Sequence, residues 1–296
     1  MKNLFRFSVF SACAGLILII AGGLVTSHQA GLSVPDWPLS YGKWMPPMVG
    51  KIFWEHGHRM IATFVGLLTL IMSVWTHFIP GASPRLKSFS RLLVELVILQ
   101  GVFGGLTVLY NLPPAVSIMH ACLGQVFFAS LVLFAYAVNC EAEPLARFFD
   151  DNQKQMLAKA FRITRATVIV LLVQLLLGAA TRHIRHLHIA WTHVVFALVV
   201  TLHIVLIYLR AAQLDSEDKP PRQIALFLLN IIFLQILLGA GSLGFTQFLA
   251  RHYEPTSISV WFTTFHQSLG AVLFVSTVTL GAMFYKRLKL ASAGKL

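Results

Sequence analysis

Long apolar runs alternate with short polar segments along almost the whole chain. Each run covers about 20 residues or more, the length that an α-helix needs to cross ~30 Å of hydrocarbon. The pattern predicts helices near residues 7–27, 58–79, 90–110, 114–138, 162–181, 188–210, 222–246 and 261–285. The predicted fold class is therefore an all-α integral membrane protein with eight transmembrane helices.

Composition excludes a soluble globular protein. The chain of 296 residues is 57% hydrophobic and 11% charged, whereas an average soluble domain has roughly 25% charged residues. The net charge of +12 is distributed between the apolar runs, where the topology signals of membrane proteins lie. We therefore predict membrane lipid as the surroundings of the chain and no nucleic-acid partner.

The distribution of positive charge predicts the orientation. Of the 23 Lys and Arg residues, six fall on one side of the predicted bundle, and the remaining 17 share the side of both termini. The six are Lys43, Lys51, Arg59, Arg182, Arg185 and Arg251. Because cytoplasmic loops carry the excess of Lys and Arg, both termini are predicted to be cytoplasmic.

An internal repeat runs through the predicted helices. The odd helices share a Gln-x-x-x-Gly-x-x-Thr/Ser pattern at Gln100, Gln174 and Gln235, and helix 1 keeps its last part as Gly23-x-x-Thr26. The even helices each carry a histidine followed four residues later by Ala or Gly. These histidines are His58, His120, His193 and His266. The repeat predicts two tandem four-helix bundles, residues 1–140 and 162–296, joined by a cytoplasmic linker over 141–161.

Histidines inside membrane spans are costly and indicate function unless a neighbour satisfies them by an interhelical hydrogen bond. Two imidazoles from facing helices suit a haem iron with two axial nitrogens, whereas a zinc ion usually takes three or four protein ligands. We interpret the glycines as sites of close helix packing and the three glutamines as interhelical hydrogen-bond partners.

Three further features concern the outer side. Glu55 lies three residues before His58, either as a carboxylate favoured at a helix N-terminus or as an acid/base group. Arg59 fits a haem propionate and a lipid headgroup equally well. Residues 28–57 hold several Trp and Pro residues, which predicts an aromatic cap at the membrane interface.

Several motifs together resemble the haem A synthase family, in its bacterial form. They are Gly-Leu-Ser-Val-Pro-Asp-Trp-Pro (31–38), Glu55-x-x-His58-Arg59-Met60, Leu-Pro-Pro-Ala-Val (112–116) before His120, and the later His193 and His266. The resemblance implies an oxidoreductase that converts the C8 methyl group of haem O to a formyl group, giving haem A for terminal oxidase assembly. It implies that oxygen comes from water.

The resemblance also implies roles for individual residues. His58 and His120 would flank the substrate haem O, His193 and His266 would ligate a haem b cofactor, and Glu55 would be the catalytic carboxylate. Implied partners are a haem O synthase and an electron acceptor, and a homo-oligomer stays open. Some family members have cysteine pairs in outer loops. This chain has Cys13, Cys122 and Cys140, none of them in an outer loop.

Two alternatives remain at this point. A non-catalytic di-haem electron carrier of the b type needs the four histidines but not Glu55. A haem transporter or chaperone would exchange haem unchanged at one of the sites.

Overall fold

A computed structural model describes residues 1–142, 149–184, 186–214, 218–248 and 255–293. Its helices are α1 (Lys2–Ser27), α2 (Gly50–Phe78), α3 (Pro84–Leu109), α4 (Pro114–Ala142), α5 (Asp151–Ile184), α6 (Leu187–Ala212), α7 (Lys219–Leu243) and α8 (Ser257–Ala293). A π-helical turn, Gly244–Phe248, follows α7. Within the described residues, eight helices are long and apolar enough to cross a membrane, which confirms the eight-helix prediction.

Most helices extend beyond the spans that hydropathy marks. α2 begins at Gly50 rather than at residue 58, and α5 begins at Asp151, so residues 151–161 of the predicted linker are helical. The reason is physical: hydropathy marks only the part of a helix inside hydrocarbon, while backbone hydrogen bonding continues into the polar flank. Residues 143–148 of the predicted linker lie outside the described residues, as do Arg147, Arg185, Arg251 and Lys295.

The described chain groups into two compact units. One unit comprises Met1–Ala142 and Leu237–Ala271, and the other comprises Glu143–Ile236 and Val272–Leu296. The tandem division at residues 141–161 and the cytoplasmic position of the termini remain predictions.

In the first unit, α1 to α4 pack as a ring. α1 contacts α2 and α4, and α3 contacts the same two helices. As a result, α2 and α4 lie diagonally across the bundle. This is the arrangement in which side chains of two facing helices can share a group bound in the bundle core.

Large side chains fill one end of this four-helix ring. Leu4, Met72, Leu93, Leu131 and Phe134 are fully buried there. They come from the start of α1, the end of α2, the start of α3 and the end of α4, so they lie at the end of the bundle that holds the N-terminus. The opposite end carries His58 and His120 together with most of the glycines of these helices.

The second unit contains the hairpin of α5 and α6 and a core that includes Ile204, Ile207 and Leu228. A buried ion pair joins the start of α7 to α8: the Arg287 Nε and Nη2 atoms donate to the two carboxylate oxygens of Asp218 at 2.6 and 2.7 Å. Since each charge is satisfied by a two-point contact, this pair fixes the relative register of the two helix segments.

Candidate functional site

The first pair of predicted site histidines lies on the diagonal helices of the first unit. His58 is near the start of α2 and His120 is near the start of α4. Because α2 begins at Gly50, Glu55 and His58 both belong to this helix. Glu55 lies about one helical turn before His58, so the two residues share a helix face, as the sequence predicts for a helix that starts this early.

Each repeat histidine is packed against a glycine of the preceding helix. A Cβ atom added to Gly22 or to Gly104 would lie 3.2 Å from the Cε1 atom of His58 or His120, respectively. The same contact occurs at the other two repeat positions. There a Cβ on Gly178 would lie 3.0 Å from Cε1 of His193, and one on Gly239 would lie 2.9 Å from Cε1 of His266.

These contacts refine the interpretation of the glycines. They do more than let two backbones approach, because each leaves space for an imidazole ring that a methyl group would displace. In α1 the glycine that does this is Gly22, one residue before the Gly23 of the sequence motif, while Gly23 faces the side chain of Gln267. A shift of one residue rotates the contact by about 100° around a helix, and the sequence alone does not set this rotation.

The repeat glutamines hold the backbone of the histidines. The Gln100 side chain donates to the carbonyl oxygen of His120 at 3.0 Å, and that of Gln174 donates to the carbonyl oxygen of His193 at 3.1 Å. The predicted interhelical hydrogen bonds are therefore confirmed for these two glutamines. Each bond fixes the position of the helix turn from which the imidazole projects.

The imidazoles of His58 and His120 each have one buried ring nitrogen without a partner. In both rings Nδ1 is buried and has no hydrogen-bond partner among the described residues. An unpaired ring nitrogen in a protein interior is costly. These two imidazoles are therefore candidates to hold a bound group.

Glu55 is buried, with 4% of its surface exposed, and both of its carboxylate oxygens are engaged. Oε2 accepts a hydrogen bond from the backbone N–H of Val34 at 2.8 Å, and Oε1 accepts one from the guanidinium of Arg59 at 2.7 Å. The hydrogen bonds from Arg59 and Val34 offset part of the cost of burying this carboxylate. The carboxylate therefore lies one turn from His58 and also anchors the outer loop.

Arg59 makes hydrogen bonds to the outer loop that the sequence did not predict. Its Nη1 atom donates to the carbonyl oxygens of Asp36 and Leu39 at 2.8 and 2.9 Å, and its Nη2 atom donates to that of Val34 at 3.3 Å. Five donors in a rigid fork allow one guanidinium to bind several backbone carbonyls together with a carboxylate. In this structure Arg59 therefore ties residues 34–40 to α2, a role that neither of its two sequence interpretations included.

The outer loop, residues 28–49, is fastened over the first unit at further points. The Ser40 hydroxyl lies 2.8 Å from Nδ1 of the buried His56. The indole ring of Trp37 packs against Gly105, where an added Cβ would come within 2.7 Å of it. The predicted cap is thus present as a loop over residues 28–49, whereas residues 50–57 belong to α2.

Asp36 organises the turn in this loop. Its carboxylate accepts from the backbone N–H groups of Tyr41 and Gly42 at 2.6 and 2.8 Å. The Gly42 hydrogen bond has the largest effect and lowers the pKa of Asp36 from its ordinary value of 3.8. Desolvation opposes it, and the Tyr41 bond and the charge of Arg59 lower the pKa further. The folded loop is therefore most stable with Asp36 ionised.

His193 and His266 are located on α6 and α8. His193 belongs to the second compact unit, and His266 belongs to the first together with its contact glycine Gly239. Each ring contacts the glycine of its repeat position, and the Gln174 side chain also donates to the backbone of His193.

Comparison with known proteins identifies relatives of the chain. Residues 48–192 match the COX15-CtaA family, described as cytochrome oxidase assembly protein. A protein named "Heme A synthase" from Symbiobacterium thermophilum is 30% identical over 187 residues, which cover 62% of this chain and 60% of the relative. Another of that name from an Exiguobacterium species is 27% identical over 191 residues, covering 62% and 59%.

A third relative, from Shouchella clausii, is 27% identical over 150 residues, or 50% of each chain, and is also named "Heme A synthase". The matched part of the chain thus spans between half and three fifths of the length of these curated relatives. It includes Glu55, His58 and His120 within the family match. Over residues 48–192 the chain is thus similar to the COX15-CtaA family, and the eight apolar helices of the described residues make it a multi-pass protein of the bacterial cell membrane.

Proposed function

We propose that the chain is a haem A synthase, an oxidoreductase that converts the C8 methyl group of haem O to a formyl group. One observation carries the proposal: His58 and His120 project from diagonal helices of one bundle, each against a glycine, with the ionised Glu55–Arg59 pair one helical turn from His58. A porphyrin substrate explains a di-imidazole site beside a fixed charge better than simple helix packing explains it.

The donor set fits a haem. Imidazole nitrogen is a common axial ligand of haem iron, and each of the two rings has a buried nitrogen without a hydrogen-bond partner among the described residues. The glycine contacts fix the position of each ring, and the Gln100 hydrogen bond fixes the backbone of His120. In the proposal, His58 and His120 flank haem O.

The proposed cofactor is haem b, held by His193 and His266. This assignment rests on their repeat positions, on the resemblance to the family, and on the glycine that each ring contacts, Gly178 or Gly239. When bound, haem b would supply a one-electron redox centre for electrons removed from the substrate.

The proposed chemistry balances with water as the oxygen source. Conversion of a methyl group and one water molecule to a formyl group releases four protons and four electrons. Two successive two-electron oxidations give a hydroxymethyl group and then a geminal diol, which loses water to leave the aldehyde. The electrons leave to an external electron acceptor, and a haem O synthase supplies the substrate.

The residues of the chain position the substrate and handle charge. Glu55, held as a carboxylate by Arg59 and the Val34 N–H, would stabilise positive charge that develops at the methyl carbon and accept a proton from it. The loop over residues 28–49 would restrict bulk water above this site, because Arg59 and His56 fasten it to α2.

Haem extraction from cells that make haem O tests the proposal. Expression of the chain is expected to yield haem A, and Glu55→Gln is expected to lower its formation by about 10²-fold or more while b-type absorbance is retained. Ser40→Ala is the matched control, since it disturbs the same loop at His56 but leaves both bonds of Glu55. Unchanged haem O in cells with the unaltered chain would refute the synthase.

The haem b assignment has its own test. His193→Ala and His266→Ala should each remove the b-type absorbance. A normal spectrum in either variant would refute that ligand pair, whatever the outcome for Glu55.

One observation favours a second candidate, the non-catalytic di-haem electron carrier. Both oxygens of Glu55 are used by Arg59 and Val34, which is what a purely structural carboxylate would show. In a carrier, Glu55→Gln would change loop stability but not the identity of the extracted haem, and both haems would be b-type and reducible.

A further inference from the structure

A groove between α5 and α6 in the second unit combines positive charge with apolar surface. Its volume is about 360 Å³. It is lined by Lys159, Arg162, Ile163, Ala166, Leu206 and Arg210. Of these six described residues, three are cationic and none is acidic.

On both α5 and α6, the residues that line the groove are spaced as neighbours on one helix face. Lys159, Arg162, Ile163 and Ala166 stand at positions i, i+3, i+4 and i+7 of α5, so they share one face. Leu206 and Arg210 are one turn apart on α6. The groove therefore runs along the two helix axes and is not a chance opening at a helix end.

The cationic and the apolar residues occupy different parts of the groove, with the cations at the predicted membrane boundary and the apolar residues on the hydrocarbon side. Arg162 is the first residue of the predicted span 162–181, and Arg210 is the last residue of the predicted span 188–210. Both cations thus mark the same boundary of the hydrocarbon layer. Ala166 and Leu206 lie one turn deeper, on the hydrocarbon side.

We propose that this groove binds an anionic glycerophospholipid, with its phosphate between Lys159, Arg162 and Arg210 and an acyl chain along Ile163, Ala166 and Leu206. The commitment to a lipid follows from this polarity. Lys and Arg at the membrane surface attract anionic headgroups, and the apolar strip below them matches a chain that a free phosphate ion lacks. The site is independent of the haem chemistry.

The test uses the full chain, purified in detergent and freed of lipid, with bound lipid counted by native mass spectrometry. The probes are phosphatidylglycerol, phosphatidylcholine with the same acyl chains, and inorganic phosphate. We expect phosphatidylglycerol to bind much more tightly than the other two. Equal binding of the two lipids would overturn the proposal, and phosphate binding as tight as that of phosphatidylglycerol would replace the lipid with a free anion.

Variants separate this groove from the general positive charge of the chain. R162Q combined with R210Q should weaken phosphatidylglycerol binding about 25-fold, at roughly fivefold for each cation. The matched control is R165Q, because Arg165 is an exposed cation of the same helix that does not line the groove and lies over the Phe161 ring. Equal weakening by R165Q would overturn the proposal.

The acyl-chain part is tested by A166F, which fills the apolar strip and keeps all three cations. Weaker binding of phosphatidylglycerol to A166F supports a chain in the groove. Unchanged binding would show that only the headgroup is held at the surface, and would overturn the proposal as stated. A thermal unfolding curve of each variant verifies that it is folded.

Discussion

Gly104 provides a direct test of the imidazole contact. In Gly104→Ala, the new methyl group would lie 3.2 Å from Cε1 and 3.7 Å from Nδ1 of His120. The first distance is shorter than an ordinary van der Waals contact, so the ring must move by a few tenths of an ångström. Gly101 lies one turn earlier on α3, and a Cβ there would meet nothing within 4 Å, which makes Gly101→Ala the matched control.

The two substitutions share one energetic effect and differ in another. Each replaces a helical glycine by alanine, which stabilises a helix interior by roughly 0.5–1 kcal/mol. Gly104→Ala adds the cost of overpacking, typically about 1–3 kcal/mol. We therefore expect Gly101→Ala to be as stable as the unaltered chain or more so, and Gly104→Ala to be less stable than Gly101→Ala.

Two measurements check this prediction. Thermal unfolding in detergent reports the packing cost directly and does not depend on the proposed function. Haem content per protein, after purification from cells that make haem O, reports ligand geometry, and we expect it to fall roughly fivefold or more for Gly104→Ala, as about 1 kcal/mol or more of binding energy is lost. Identical stability and haem content in the two variants would refute the argument that Gly104 makes room for His120.

Three other outcomes are expected. Gln100→Leu removes the hydrogen bond to the His120 carbonyl and should cost about 0.5–1.5 kcal/mol by denaturant unfolding, with a changed axial-ligand spectrum that a purely structural bond would not produce. Asp218→Ala leaves Arg287 buried without its carboxylate partner and should lower the free energy of unfolding by about 3–5 kcal/mol. A decrease of less than about 1 kcal/mol would contradict the interpretation as a buried ion pair. The pKa of Asp36 is lowered in the folded protein, so this residue stabilises the loop at a pH above its ordinary pKa and loses the effect as the pH falls through the folded value. Asp36→Asn should therefore increase proteolysis of the loop at neutral pH and have no effect in strong acid.

The sequence was sufficient to predict the spans and the repeat. Apolar runs report burial in hydrocarbon directly, so the sequence predicts each of the eight long helices of the described residues. The histidines were recognisable because polar side chains inside such runs are rare, and the Gln100 and Gln174 hydrogen bonds followed from the same repeat.

Features that depend on helix rotation or on loop conformation could not be predicted. The contact glycine in α1 is Gly22 and not Gly23, because rotation of the helix about its axis is set by packing with its neighbours. The hydrogen bonds of Arg59 involve backbone carbonyls of residues 34–40, and carbonyl groups carry no sequence signal. The start of α2 at Gly50 lies before the apolar run, where hydropathy gives no information.

The Arg59 guanidinium has a consequence for how the first unit can be altered. The same side chain binds the carbonyl groups of the outer loop and neutralises the carboxylate of Glu55. Lifting the loop would therefore break the bonds that orient the cation and would change the electrostatic environment of the carboxylate in the same event. The conformation of the outer loop and the charge balance beside His58 thus depend on one side chain, and a substitution that loosens the loop will also alter the electrostatic environment of Glu55.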